Sequence, residues 1–240
     1  MARHAPLETV LAGLRLHAVR HSVLLIALVG VFSLSAAFAW ATAQPTSPAP
    51  GAVVRSAHPL FAWRVPANEK SQAIYLASKP DTTPDGSFFT ENVVDLAAFY
   101  PDDPRQWSPT SGLYAGHYWW LVESNDLNTY ESYRSAPIDF TIPATASIVG
   151  LRTRSYHYLR LLSIEVRWRS NMLQPVAQAS LSTRAGRRLW SARSREYNSL
   201  GSTGSSSFDW YVPRRVRAGT RLRLLVKVGA ASLRRVARAP

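Results

Sequence analysis

One aromatic-rich run constrains the fold of this chain most strongly. Residues 113–122 read Leu-Tyr-Ala-Gly-His-Tyr-Trp-Trp-Leu-Val, which is typical of a turn followed by a central β-strand. Because side chains alternate across a strand, Tyr118, Trp120 and Val122 share one face. Trp119 falls on the opposite face. Burial of large aromatic rings stabilises a fold by roughly 1.5–3 kcal/mol each, so the face with Tyr118 and Trp120 is predicted to lie in a hydrophobic core.

Shorter strands with the same alternation flank this run. Phe61, Trp63 and Val65 alternate within a stretch that prolines bound on both sides, which predicts one buried face. Residues 88–100 are ambiguous and could form a strand and then a short helical turn at 93–99, whereas residues 101–111 are predicted as a long loop. The other predicted strands of this region cover residues 52–56, 71–78 and 135–143.

Three motifs occur in order within residues 48–143. They are Pro-x-Phe-x-Trp at 59–63, Leu-x-x-Gly-x-Tyr-x-Trp-x-Val at 113–122 and Ser-x-x-x-x-Phe-x-Ile at 135–142. Together they resemble bacterial fibronectin type III domains. The resemblance implies a seven-stranded sandwich with a spacer or adhesive role rather than catalysis. It also implies that Trp63 is a core tryptophan and that Tyr118 braces the corner before the sixth strand.

The second half repeats the rhythm of strands and turns with different residues. Strands are predicted at residues 147–153, 159–168, 177–184, 188–193, 206–211 and 221–228. This region resembles, more weakly, the immunoglobulin-like domains of secreted bacterial proteins. The predicted fold class is therefore all-β, with two immunoglobulin-like or fibronectin type III-like β-sandwiches after an N-terminal hydrophobic export helix.

Residues 1–43 are predicted to direct export. A basic leader at 1–22 precedes an uncharged apolar run at 23–40, and Ala-Thr-Ala at 41–43 has the small residues that a signal peptidase recognises. The run and its alanine tail also reach the length of about 20 residues that spans a bilayer. The segment is thus either a cleaved signal peptide or a signal anchor at residues 23–43. Both place the rest of the chain outside the cell or at its surface.

Charge changes abruptly near residue 143. The stretch from residue 44 to 143 has 6 basic and 11 acidic residues, a net charge of −5, whereas residues 144–240 have 19 basic and 3 acidic ones, a net charge of +16. We therefore predict a Pro-rich linker at 44–51, a fibronectin type III-like domain at 52–143 and a basic immunoglobulin-like sandwich at 147–240, joined by a short hinge at 144–146. The basic half indicates an anionic partner.

The basic half repeats the pattern Arg-x-Arg. Residues two apart on a strand face the same way, so such pairs would form an arginine surface suited to phosphate or carboxylate. The alternative is that these arginines only solvate outer sheet faces and protect sheet edges. The predicted anion-binding residues are Arg152, Arg154, Arg167, Arg169, Arg215, Arg217, Arg221 and Arg223. Candidate partners are an anionic cell-envelope polymer, a lipid surface or an acidic protein, while the export signal argues against nucleic acid.

Aromatic residues offer a second kind of site. Trp119, Tyr114 and Trp107 could stack against sugar rings if they lie on one exposed face. The alternative is that Trp119 contacts the second domain or the loop at 80–109.

The sequence contains no motif for catalysis or metal binding. It has 0 Cys, no Gly-x-Ser-x-Gly elbow and no glycine-rich phosphate loop, and its acidic clusters lack the spacing of a calcium loop. We therefore predict no catalytic residue, no metal and no cofactor. The leading hypothesis is a non-enzymatic exported or membrane-tethered binding and spacer protein. The alternatives are a carbohydrate-binding accessory module and a hydrolase.

Overall fold

The computed structural model describes residues 43–65, 71–126, 129 and 131–240. Nearly all regular structure in these residues is β-strand, which confirms the predicted all-β fold class. The predicted export segment lies outside the described residues, except for Ala43. Among the residues that the structure describes, no helix has the length and hydrophobicity required to span a lipid bilayer.

Residues 43–143 form a sandwich of two sheets, called here the first sandwich. One sheet has the order β1-β3-β6, and the other has the order β2-β9-β7-β4-β5 with β8 added to β7. All of these pairs are antiparallel except β2 with β9. In chain order the strands are β1 (Gln44–Ser47), β2 (Ala52–Val53), β3 (Phe61–Arg64), β4 (Ser71–Ala77), β5 (Val93–Phe99), β6 (Gln106–Trp107), β7 (Gly116–Asn125), β8 (Ser132–Arg134) and β9 (Ile138–Ile142).

Aromatic side chains from both sheets fill the core of the first sandwich. Trp120 on β7 is fully buried, and its ring meets the ring of Phe61 on β3 edge to face, with 5.0 Å between the centroids. Phe140 on β9 contacts the same Phe61 ring at 5.5 Å. Tyr118 and Val122 lie on the same side of β7 as Trp120 and are also buried. The predicted alternation of the central strand is therefore confirmed.

Residues 144–240 form a second sandwich with the same strand order. Its sheets run β10-β11-β14 and β13-β12-β15-β16, which match β1-β3-β6 and β5-β4-β7-β9 of the first sandwich when the short strands β2 and β8 are set aside. The strands are β10 (Ala146–Tyr156), β11 (Leu161–Ser170), β12 (Val176–Ser182), β13 (Arg188–Arg195), β14 (Thr203–Tyr211), β15 (Arg221–Val228) and β16 (Ala231–Arg238). Trp168, Leu181 and Leu224 belong to its core.

Four elements differ from the sequence-based expectation. The helical turn predicted at 93–99 is wrong, because Thr90–Asn92 forms the helical turn and Val93–Phe99 is strand β5. Gln44–Ser47, expected within an extended linker, is strand β1 and pairs with β3. Because β1 lies at the edge of its sheet, Pro45 can be accommodated although it has no N–H group to donate. Gln106–Trp107, expected within a loop, is the short strand β6. Strand β16 was not predicted, because Arg234 and Arg235 in succession break its alternation.

Asn171 joins the two sandwiches through both its side chain and its backbone. Its side-chain oxygen accepts a hydrogen bond from the Thr145 backbone at 2.7 Å, and its side-chain nitrogen donates to the Pro143 carbonyl at 2.9 Å. Its own carbonyl accepts from the Ala115 backbone at 2.8 Å. Next to this contact, the Tyr114 hydroxyl donates to the Asn198 carbonyl at 3.1 Å. These hydrogen bonds hold the short connection at 143–146 in place between the first and the second sandwich.

Candidate functional site

The eight predicted anion-binding arginines divide among three places. Arg152, Arg154, Arg167 and Arg169 lie on the outward face of the β10-β11-β14 sheet. Arg221 and Arg223 lie on the outward face of the other sheet, on β15. Arg215 and Arg217 lie in the turn between β14 and β15. The structure therefore does not bring the predicted set together on one surface.

The outward face of the β13-β12-β15-β16 sheet has the larger concentration of positive charge. Alternate residues of these strands point inward to the core, so their neighbours face solvent. We call this outward surface the basic face. Its cationic side chains are all exposed, and they are Arg188, Arg193, Arg195, Arg221, Arg223, Lys227, Arg234 and Arg238. None of the four strands contains an acidic residue.

Like charges lie directly opposite one another on the basic face. Arg221 on β15 pairs in register with Arg238 on β16. Arg193 and Lys227 flank the same residue, Gln178, from the two strands next to β12. Facing cations on neighbouring strands destabilise a sheet unless counter-charge is near, and no ion pair involving these side chains is present among the described residues. The arrangement therefore favours occupation by an anion.

A shallow groove crosses the basic face between β15 and β16. Its volume is about 800 Å³, and it is lined by Arg223 and Arg234 of the basic face and by Arg235, which alternates to the other side of β16. Leu225 and Val236 add apolar side chains to this lining. The guanidinium groups thus stand around a surface without carboxylates, and planar guanidinium groups can contact phosphate or carboxylate oxygens in pairs.

The outward face of the β10-β11-β14 sheet is less basic. Its four arginines share the surface with Glu165 and Asp209, and Arg152 is directly opposite Glu165. The Arg167 side chain lies flat across Gly150, the residue opposite it. Neighbouring carboxylates offset part of the positive potential there. The basic face is therefore the better candidate for an anion-binding surface.

Two other arginines, Arg134 and Arg160, bind carboxylate or carbonyl groups of the protein itself. Arg134 donates to the Glu123 carboxylate at 2.7 Å and to the Asp85 carboxylate at 3.2 Å, which ties the hairpin at 80–89 to β7. The Arg160 guanidinium donates to the carbonyls of Val212, Pro213 and Val216, which fixes the turn after β14. Several donors of each guanidinium group are used in these contacts, so both arginines are poorer candidates for ligand contact.

The predicted sugar-stacking residues do not share one surface. Trp119 is half-buried on the outer side of β7, where it packs near Phe88 of the 80–109 loop and against the His117 ring at 4.2 Å. Trp107 packs on the opposite side, against Phe61 of the core, at 5.4 Å. Tyr114 lies at the contact between the sandwiches. These positions do not form a common stacking surface, and carbohydrate binding stays a prediction without structural support.

Comparison with known proteins gives similarity in structure and none in sequence. No family profile matches the chain, and no curated protein matches it. It is similar to latent PorU from Porphyromonas gingivalis, with 12% identity and a TM-score of 0.27, covering 82% of this chain and 20% of that one. It is also similar to the FN1–FN3 domains of chicken CNTN1, with 12% identity and a TM-score of 0.28. This match covers 82% of this chain and 65% of that one. A third similar structure is a DUF3823 family protein from Bacteroides ovatus, with 11% identity and a TM-score of 0.28. This match covers 79% of this chain and 95% of that one.

The histidines and acidic clusters do not form a reaction centre within the described residues. His117 bonds to Asp139 at 2.9 Å through Nε2, and His58 bonds to the Pro109 carbonyl at 2.7 Å through Nδ1. Neither ring also contacts a serine hydroxyl. The hydrogen bonds from His117 and Gly51 lower the pKa of Asp139. No group of three or more His, Asp or Glu residues suited to a metal occurs in the described ranges.

Proposed function

We propose that this protein is a non-enzymatic binding and spacer module whose basic face contacts an anionic component of the cell envelope. The single observation that supports this most strongly is the concentration of eight exposed cations, without an acidic residue, on the outward face of one sheet of the second sandwich. The first sandwich, with its net negative charge, then acts as the spacer. The division of the chain into two domains near residue 143 belongs to the same proposal.

The proposed location rests on the N-terminal segment. An export signal at residues 1–43 places both sandwiches outside the cytoplasm, either released or tethered by residues 23–43. N-terminal sequencing of the exported protein distinguishes these two forms. A mature N-terminus near residue 44 indicates release, and an intact leader in the membrane fraction indicates a tether.

Binding of linear polyphosphate to the full chain tests the proposed contact. Because exposed charges are screened by salt, we expect the affinity to fall as the salt concentration rises. A triple variant of the basic face, with Arg193, Arg223 and Arg234 each changed to Gln, is expected to bind about tenfold more weakly or worse. The matched control changes Arg152, Arg154 and Arg167 to Gln and removes the same charge from the opposite sheet.

The comparison between the two triple variants decides the proposal. A much larger loss for the basic-face variant supports it. Equal losses would indicate that only net charge matters, and binding that ignores salt would contradict an electrostatic contact. Melting curves of both variants serve as the folding control, and we expect little change because all six side chains are exposed.

A further inference from the structure

A second basic site lies away from the basic face, in a cleft between the two sandwiches. The cleft has a volume of about 540 Å³, within the range of small-molecule sites. Residues from both sandwiches line it, so it exists only while the two are docked. Its lining includes Arg55, His58, Thr110, Ser111, Thr145, Ser147, Arg169 and Leu200, and no acidic residue.

The two arginines of the cleft come from different sandwiches. Arg55 follows β2 of the first sandwich, and Arg169 lies near the end of β11 in the second. No carboxylate within the described residues forms an ion pair with either one. Among the described residues, the one side-chain hydrogen bond of Arg169 is a long contact of 3.4 Å to the Thr203 hydroxyl through Nε. The outer nitrogens of both guanidinium groups are therefore available to a ligand.

The surrounding backbone holds the walls of the cleft in place. The Leu113 backbone donates to the Ala57 carbonyl at 2.7 Å, and the Ser170 hydroxyl donates to the Thr145 carbonyl at 2.9 Å. Gly112, at φ +68°, leaves the space in which Leu200 of the second sandwich meets His58 of the first. These contacts fix Ala57, Ser170 and Thr145 in the wall of the cleft.

The His58 ring is oriented by a contact that also defines its tautomer. Its Nδ1 lies 2.7 Å from the Pro109 carbonyl, which can only accept, so the Nδ1 atom carries a proton. The Nε2 atom has no hydrogen-bond partner among the described residues. In this tautomer Nε2 can accept a hydrogen bond from a hydroxyl group of a ligand.

We propose that this cleft binds a small oxyanion, a carboxylate or a phosphate group, between Arg55 and Arg169 with His58 beside them. Hydroxyl groups of Thr110, Ser111 and Ser147 line the same cleft, and they favour a hydroxylated molecule such as a sugar acid or a sugar phosphate. Because the ligand would contact both sandwiches, its binding would also stabilise their docked arrangement. This site is independent of the basic face and does not require the proposed function.

Titration calorimetry on the full chain in detergent tests the proposal with three probes, which are inorganic phosphate, glucuronate and glucose. Heat of binding at about 1 mM probe is expected for phosphate or glucuronate and not for glucose. Binding of phosphate alone identifies a phosphate site, and stronger binding of glucuronate identifies a sugar-acid site. Absence of binding by both anions, or equal binding of glucose, would overturn the proposal.

Single substitutions locate the site. Arg55→Gln and Arg169→Gln are each expected to weaken anion binding about tenfold or more, whereas Arg169→Lys retains charge and should have a smaller effect. The matched control is Arg152→Gln, on the same sheet as Arg169 but five residues beyond Ser147 along β10. Anion binding that neither glutamine variant weakens, or that the control weakens equally, would overturn the assignment. Polyphosphate binding by the two cleft variants should match that of the unaltered chain.

Discussion

The Tyr118 hydroxyl donates a hydrogen bond to the Tyr114 carbonyl oxygen, at 3.0 Å. This bond closes the turn before β7 and gives Tyr118 the bracing position that the resemblance to fibronectin type III domains implied. Burial of the phenol raises the pKa of Tyr118. Tyr114 in turn donates its own hydroxyl to Asn198 of the second sandwich. The corner of one sandwich is therefore directly connected to the other.

Removal of the corner hydrogen bond should lower stability by a modest and measurable amount. Tyr118→Phe keeps the ring in the core and deletes only the hydroxyl, so we expect a loss of about 0.5–1.5 kcal/mol in the free energy of unfolding. Urea denaturation measures it. The control is Tyr158→Phe, since Tyr158 is 84% exposed and no hydrogen bond of its hydroxyl occurs within the described ranges. Equal losses for both variants would mean that the corner bond contributes nothing.

Trp120→Ala tests the core of the first sandwich. Its side chain is fully buried against Phe61, and truncation of a large aromatic in a core costs about 3–5 kcal/mol. Thermal melting followed by circular dichroism should show a large decrease in Tm. Leu96→Ala, at a position 56% exposed on the edge strand β5, is expected to change stability by less than about 0.5 kcal/mol. A Trp120→Ala variant that melts like the Leu96→Ala variant would contradict the assigned core.

Gly204→Ala tests the packing of the second sandwich. A methyl group at this position would meet the Trp168 ring at 2.1 Å, which no real contact allows. We expect the overpacked variant to lose about 1–3 kcal/mol. Trp168→Phe removes the ring atoms that the methyl group meets. The combination Gly204→Ala with Trp168→Phe should therefore be more stable than the sum of the two single changes predicts, and strict additivity would contradict the packing.

The hairpin at 80–89 should lose stability in acid through Asp85. The hydroxyls of Thr83 and Ser87 donate to its carboxylate and lower its pKa from 3.8 to about 2. A group whose pKa is lower in the folded state contributes stability above its unfolded pKa and loses it as the pH falls through the folded pKa. The contribution should therefore disappear between about pH 4 and pH 2.

A carboxyl carbon NMR titration measures this directly. In Thr83→Val the main donor is lost, and the midpoint for Asp85 should rise from about 2 toward 3.8. Thr82→Val is the control, because the exposed Thr82 hydroxyl makes no hydrogen bond within the part of the chain described. A midpoint that stays the same in Thr83→Val would show that the hydroxyl does not hold the carboxylate.

The alternation of large side chains predicts most of this fold. Trp63, Trp120 and Trp168 are buried as the period of two requires, and the strands that contain them occur where expected. Such strands are easy to recognise because one face must exclude water. The sequence did not predict the correct position of strand β5. This edge strand exposes the apolar residues Val94 and Leu96, so its sequence pattern does not distinguish an inward from an outward face.

The sequence predicted only part of the basic face, because local spacing does not show which strands lie side by side. The Arg-x-Arg spacing correctly indicates outward-facing pairs such as Arg221 with Arg223, but it does not show which strands are neighbours. Arg238 joins Arg221 only because β16 returns beside β15, and the sheet order is not encoded in local spacing. The cleft between the sandwiches depends on docking through Asn171, which no single-strand pattern can indicate.

Protection of arginines from a guanidinium-specific reagent, read by mass spectrometry with and without polyphosphate, tests the central claim most directly. The account predicts that polyphosphate slows modification of Arg193, Arg223 and Arg234 on the basic face, while Arg152 and Arg154 on the opposite sheet react at an unchanged rate. Uniform protection of all five, or protection confined to Arg152 and Arg154, would contradict the assignment of the anion-binding surface.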